Sequence, residues 1–335
     1  MININKEKEE KFYANKDFCF SYSSLNKLLF SPSLFYKDYI LWDREVRTDK
    51  HLIEGKLIHC LLFEPEKVDE KFSIVPGKSP SDNIRKVLKD MALHTDAETL
   101  VDCEDVIILD SLKSLNLYQS FKADDSRIAK IRTEDNEPYW KFIGSDNVDA
   151  VDQDTVLRCI EKVEILKDNK DVMSLFEEGF QMGTGTDFEL DPIEAYSECY
   201  LKSELIGLEF GLHGYIDYYK VDSDKKQVTI CDLKTTGKTV SDFKDTVDFY
   251  NYWLQAAIYM KLVYDTLGDD ADDYELTFKF IVIDTYDQVY VFEVSKDTMG
   301  SWANGLGGAI KTAKFHYNSR NYSLPIEFLS NKVTL

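Results

Sequence analysis

Val228-Thr-Ile-Cys231 reads as a buried strand, and it runs directly into Asp232, Leu233 and Lys234. Alternate residues of a strand share a face, so Asp232 and Lys234 point the same way. Buried charges are costly unless they are paired or hold a metal. A second acid is within reach: Gly214-Tyr-Ile-Asp217 ends the neighbouring strand, and Val221-Asp-Ser-Asp-Lys-Lys226 holds the turn. If that turn centres on Ser223-Asp224, Asp217 stands almost opposite Ile230 and is a same-face diagonal neighbour of Asp232. A one-residue slip in register would separate them. Two aspartates at that range repel, and a hard divalent cation relieves the repulsion. Mg²⁺ suits such a site, because it takes one or two carboxylates together with waters and phosphate oxygens. The ion would lower the pKa of a bound water and offset charge on a phosphate. Lys234 would orient or deprotonate that water, or steady the phosphorus under attack. Taken alone, Asp-x-Lys is commoner as a structural ion pair at a strand end, so the flanking residues must decide.

Several flanking residues bear on that choice. Gln255 and Tyr259 are one helical turn apart and share a face, which would supply an amide and a phenol beside a phosphate. A Tyr/Gln helix simply packed on the sheet fits the same pattern. Gly214 permits close backbone approach. His59 follows Gly55 by four residues in an apolar helix, where a lone histidine is more often a hydrogen-bonded core residue than a ligand. Glu198, on the strand before Asp217, could complete the acid set, with Glu194, Glu204 and Glu209 as rivals.

The elements that must position these residues can be read in outline. Residues 1–16 have the texture of a solvated arm. Ser23 or Ser24 can cap a helix through Leu25, Leu28 and Leu29, punctuated by Ser31-Pro32. A helix is predicted over Lys50–Phe63, stopped by Pro65. Residues 82–130 and 146–180 read as mainly helical, with Gly179 as a C-cap, and their mixed charges suit solvated helix faces. From about 193 the sequence turns β-rich. A hairpin carries Asp217 and Asp232, the Gln255–Tyr259 helix follows, a second hairpin turns at Thr285–Asp287, and a last helix runs from about Lys296 to Lys314.

The chain has 335 residues, 44% hydrophobic, enough for a sizeable core. No apolar run approaches the roughly 20 residues that span a bilayer, and the charged start lacks a signal peptide's apolar centre, which points to the cytoplasm and away from membranes. Six scattered cysteines, with no CxxC pair, read as reduced thiols and argue against zinc or an iron–sulfur cluster. The net charge of −21 argues against a nonspecific basic coat for nucleic acid. It leaves room for a local groove, since a metal-binding site needs carboxylates.

Gly55-x-x-x-His59, Glu198, Gly214-Tyr-Ile-Asp217, Asp232-Leu-Lys234-Thr-Thr236 and Gln255-x-x-x-Tyr259, in that order, resemble the PD-(D/E)XK nuclease superfamily. Within it they are similar to the RecB-type branch, above all the exonuclease VIII (RecE-like) and phage recombination exonuclease group. The stretch Ser21–Tyr36 resembles that group's N-terminal helix. The resemblance implies an α/β (α+β) fold, a mixed central β-sheet flanked by helices with a helical insertion. It implies one nuclease domain over 1–335: N-terminal helices at 17–65, an insertion at 80–190, the catalytic sheet and Gln-x-x-x-Tyr helix at 193–295, and a C-terminal helix and tail at 296–335. Asp217 and Asp232 would bind Mg²⁺, for which Mn²⁺ can substitute, with His59 and, less securely, Glu198 as further ligands. Lys234 would serve the water, and Gln255 and Tyr259 would support Lys234 and the DNA backbone. Ser23, Thr235, Thr236 and Lys238 would face DNA, and Lys27, Lys37, Lys56 and Lys244 would extend a basic path. The implied activity is resection of double-stranded DNA ends for recombination or repair in a phage or bacterium, leaving 5′-phosphates. A single-strand annealing protein is the implied partner and a toroidal homo-oligomer the implied assembly. An endonuclease on the same scaffold and a noncatalytic DNA mimic are the competing readings.

Overall fold

A computed structural model describes residues 2–44, 49–75, 80–143, 149–176 and 193–330. Gly179 and its neighbours lie outside them. The chain divides into two compact units, Met1–Val46 with Leu166–Leu335, and Arg47–Ile165.

The first unit opens with a helix, Ile2–Ala14, where the sequence suggested a solvated arm. Its charged first turns offer no apolar stripe, and the anchor comes at its end. Phe12 is buried, its ring 4.6 Å from Phe18, and Tyr13 lies 5.1 Å from Tyr317. Strand β1 (Cys19–Phe20) leads into the helix Tyr22–Phe30. Ser21 caps that helix in a capping box with Ser24, so Ser24 is the third helical residue, not the cap, and Ser23 caps nothing. The predicted cap sat too far along because three serines in four residues compete for one position.

The second unit carries the helix Lys50–Phe63, with the bounds expected of it. The helices Asp82–Met91, Asp105–Ser114 and Asp124–Ile131 bury Val87, Leu88, Met91, Ile108, Leu112 and Ile131 together. Two short strands, β2 (Phe72–Val75) and β3 (Asp149–Asp152), pair in parallel within this mainly helical unit. Four-residue strands leave too little alternation for sequence to register.

The chain then returns to the first unit and builds the central sheet. Strands β4 (Ile193–Glu204), β5 (Gly211–Asp222), β6 (Gln227–Thr236), β7 (Glu275–Asp284) and β8 (Val289–Glu293) join β1 in a mixed sheet of order β1-β5-β6-β7-β8, with β4 also on β5. Strand β6 is central and buried on both faces: Val228 and Ile230 face one side, Cys231 and Leu233 the other. It pairs with β7 in parallel, which requires a crossover, and the helix Tyr252–Leu267 provides it. That helix buries Leu254, Ala256, Ala257, Ile258, Leu262 and Val263 against the Val228–Ile230–Phe278–Phe280–Val282 face. Outside it lies Lys296–Ser319, a turn longer than sequence indicated. The short helix Lys170–Phe176 sends Phe176 to Tyr218, at 4.8 Å, on the opposite face. Helices thus flank a mixed sheet.

All six cysteines are free thiols, four of them buried. Among the described residues no helix is long and apolar enough to cross a membrane.

If the N-terminal helix is part of the core, Phe12→Ala lowers the unfolding free energy by about 3 kcal/mol, the loss typical of a buried phenylalanine. A urea midpoint unchanged from wild type would return residues 1–14 to the status of an arm.

Candidate active site

Strand β5 has β4 along one edge and two different neighbours along the other. Strand β1 takes that edge at Gly211 and Leu212, and β6 takes it from Tyr218 to Asp222. At Asp217 the β5–β6 ladder has ended. The amide of Leu233 donates instead to the Asp217 carboxylate, at 2.7 Å. A side chain has replaced a strand carbonyl, in a charge-assisted bond worth about 1.5–3 kcal/mol. The sheet opens at this point and leaves polar groups at its mouth.

The register differs from the sequence reading. The last β5–β6 pair is Asp222–Gln227, so the turn centres on Asp224–Lys225, and Tyr219 is the residue opposite Ile230. Moving the centre by one residue moves each partner by two. The parity of pairing is therefore preserved, and extending the register sets Asp217 directly opposite Asp232 rather than diagonal to it. The Asp222 carboxylate closes the turn by accepting from the Lys225 amide at 2.8 Å, and that bond holds its pKa below the ordinary value.

On the other side, β4 pairs Ser197 with Tyr218 and Cys199 with Ile216, which leaves Glu198 opposite Asp217. Glu198 has φ +45°, an unfavourable backbone for a non-glycine residue inside a strand. The alternation slips here, since Leu212, Ile216 and Tyr219 all enter the same core. Carboxylate oxygens of Glu198 and Asp217 lie within 4.8 Å of each other. Three acids on three adjoining strands form one row.

Lys234 supplies the counter-charge. Its ammonium lies 2.5 Å from Asp232, whose side chain is fully buried. Burial works to lower the Lys234 pKa, but the carboxylates of Asp232 and Asp217 outweigh it and the net direction is upward. The ammonium also sits over the Tyr252 ring, 4.8 Å from its centroid. Gln255 donates from Nε2 to the Tyr259 hydroxyl at 2.9 Å. Burial first, and then the charges of Asp217 and Asp232, raise the Tyr259 phenol well above its ordinary pKa. It is a neutral donor. Gly214 makes this possible: a Cβ there would come 3.0 Å from Tyr259 and 3.3 Å from Leu262. The glycine of Gly-Tyr-Ile-Asp lets the helix press its tyrosine against the strand.

The sequence profile of the PD-(D/E)XK nuclease superfamily matches residues 19–299. The chain belongs to the PD-(D/E)XK nuclease superfamily. Among curated proteins, none matches the chain. Among solved structures, a candidate exonuclease from Eubacterium rectale is similar, with 11% identity over 97% of this chain and 91% of that one and a TM-score of 0.47. That likeness is too distant to bear on function.

Superfamily members use divalent metals, and the donor set here is of the right kind. Its oxygens are hard carboxylate donors, and one Asp217 oxygen is already oriented by the Leu233 amide. Among the described residues of this unit, Glu198 and Asp217 bring carboxylate oxygens within 4.8 Å of each other, and Asp232 stands on the adjoining strand. The rivals are turned elsewhere: Glu194 accepts from the Tyr196 hydroxyl, and Glu204 and Glu209 are exposed. His59 is half-buried on the Lys50–Phe63 helix of the second unit, its ring 6.1 Å from Phe63. Ser23 is exposed in the first turn of its helix. Thr235 and Thr236 are half-buried where β6 ends, and Thr236 accepts from the Lys238 amide at 3.1 Å. Of the lysines in the expected basic path, Lys27 pairs with Asp38 at 3.0 Å, Lys37 with Asp43 at 3.8 Å and Lys56 with Asp149 at 2.7 Å.

Sequence reasoning missed Tyr252, whose spacing of three from Gln255 puts it on the same helix face and could have marked it. It also missed the clamp beneath. Asn251, at φ +57°, separates Tyr252–Leu267 from the preceding helix, Phe243–Tyr250. Its Nδ2 donates to the Asn26 side-chain oxygen Oδ1 at 2.8 Å, and Tyr22 donates its hydroxyl to the Tyr250 backbone carbonyl at 2.5 Å.

Because Lys234 offsets two carboxylates, Lys234→Met in the presence of chelator loses about 3 kcal/mol of unfolding free energy, in the range for breaking a buried ion pair. Added Mg²⁺ raises the urea midpoint of the variant more than that of wild type. Equal metal-free stabilities would show that the lysine does not carry this counter-charge.

Proposed function

We propose that this superfamily member is a Mg²⁺-dependent deoxyribonuclease of the RecE-like branch that hydrolyses phosphodiester bonds at the ends of duplex DNA and leaves 5′-phosphates. The observation that carries the reading is the meeting of Asp217, Asp232 and Lys234 at the point where β5 and β6 part. A purely structural ion pair needs one acid and one base. A row of acids across three strands, at a site where the ladder is broken, suits a cation and a phosphate.

Asp217 and Asp232 would hold the cation, with Glu198 beside them, and Mn²⁺ would serve in place of Mg²⁺. His59, carried by its Gly-x-x-x-His spacing, is the further ligand in this reading. A bound cation supplies an activated water and offsets phosphate charge. Lys234 is suited to donating to a phosphate oxygen and to orienting or deprotonating the attacking water. Gln255 fixes the Tyr259 hydroxyl, which remains a neutral hydrogen-bond donor beside the acids. Ser23, Thr235, Thr236 and Lys238 are the proposed contacts to the DNA backbone, which such polar and basic groups position without reading sequence. The proposed setting is the cytoplasm of a bacterium or a phage-infected cell. A single-strand annealing protein takes the product strand, and a ring of subunits gathers basic residues that a single acidic chain spreads thinly.

Digestion of end-labelled linear duplex with Mg²⁺ tests this. Wild type degrades the linear DNA and spares a covalently closed circle. Asp232→Ala and Lys234→Ala each slow the reaction at least 100-fold, the scale for loss of a group that stabilises transition-state charge. Cleavage of the closed circle would move the protein to the endonucleases. Wild-type rates in both variants would remove these residues from catalysis.

A further inference from the structure

A line of aromatic rings leads from the candidate active site to solvent. The Lys234 ammonium lies over Tyr252, Tyr252 is stacked on Tyr250 with centroids 5.5 Å apart, and Tyr250 meets Phe249 edge-on at 4.9 Å. Tyr252 is half-buried, whereas Tyr250 is 47% and Phe249 73% exposed. Lys238 stands over the Phe249 ring at 5.6 Å. The backbone under these rings is fixed. Asn251 makes a left-handed break, and Tyr22 and Asn26 both donate to the Tyr250 carbonyl, at 2.5 and 3.3 Å. Two large rings are therefore held in water on a clamped junction, and nothing in the core of this unit requires them there.

We infer that Phe249 and Tyr250 form a stacking platform for unpaired bases of the substrate strand next to the phosphate at Lys234. The inference rests on the nuclease reading and adds the part of the substrate that is gripped and its single-stranded state. Stacking on aromatic rings is indifferent to sequence, as a general nuclease requires. Charge favours a base over the backbone here. Asp245 and Asp248 are exposed on the same helix and would repel phosphates, while Lys238 at the outer ring offers one phosphate contact. Base pairs inside a duplex present only their edges and a blunt end offers the face of its last pair alone, so two rings favour a frayed or overhanging end.

The test compares wild type with Phe249→Ala/Tyr250→Ala and with Phe249→Tyr, each checked for an unchanged thermal midpoint. Two measurements are made: Mg²⁺-dependent digestion of a duplex with a single-stranded overhang, and quenching of a 2-aminopurine single-stranded oligonucleotide in chelator. Each ring is expected to contribute about 5- to 150-fold to binding, the range for one stacked base. The double alanine variant should raise KM at least tenfold with the loss falling on KM rather than kcat, and should abolish quenching, while Phe249→Tyr keeps both. Unchanged KM and quenching in the double variant, with wild type active, would overturn the platform and leave the nuclease reading standing. Failure of wild type to cut would overturn both, and failure to quench with cutting intact would overturn the platform alone.

Discussion

The first unit of this protein is organised around a local electrostatic problem. Asp217 and Asp232 are buried on adjacent strands, Glu198 lies beside Asp217, and one ammonium, Lys234, stands against them. In a low-dielectric interior, like charges so placed are tolerated only with counter-charge and oriented dipoles. The structure provides both. Asp232 has the lysine, Asp217 has the Leu233 amide, and the β5–β6 ladder gives up regular pairing to release that amide.

The rest of the first unit follows from holding that arrangement rigid. Strand β6 is apolar on both faces up to the acid, which fixes its position in the sheet, and the helix Tyr252–Leu267 closes the face bearing Asp232 and Lys234. Gly214 lets that helix approach, and the approach brings Tyr259 to the carboxylates and Tyr252 to the lysine. The capped Tyr22–Phe30 helix clamps the helix junction through Tyr22 and Asn26. Glu198 and Asn251, which flank this arrangement, are two of several non-glycine residues in left-handed conformations. Strain of about 1–3 kcal/mol per residue persists only where the surroundings over-determine it.

The net charge of −21 takes on a local meaning in this frame. Three lysines that sequence placed on a basic path are engaged with Asp38, Asp43 and Asp149, so their charge is largely spent within the chain. A monomer of this kind has little long-range attraction for a polyanion. Under the proposed function, grip on DNA would come from short-range contacts: a cation in the acid row, a few hydrogen bonds, and aromatic faces that carry no charge to screen.

By itself the sequence determined the chemistry and the local elements. Asp-x-Lys after an apolar run, Gly-x-x-Asp before a turn and Gln-x-x-x-Tyr on a helix are statements about residue type and short-range period, and short-range period is what a chain encodes locally. The Lys50–Phe63 helix and the two hairpins were legible for the same reason. What only the tertiary structure decided depends on partners distant in sequence. The burial of the N-terminal helix needs Tyr317, and the meeting of Lys234 with Tyr252 needs a crossover helix folded back on its strand. The facing of Asp217 and Asp232 depended on a turn centre that sequence misplaced by one residue. Such a shift moves a strand partner by two and keeps the parity of pairing, but the alternation also slips along β5, so the meeting of the two acids rests on the bond from the Leu233 amide to Asp217, which no local period encodes.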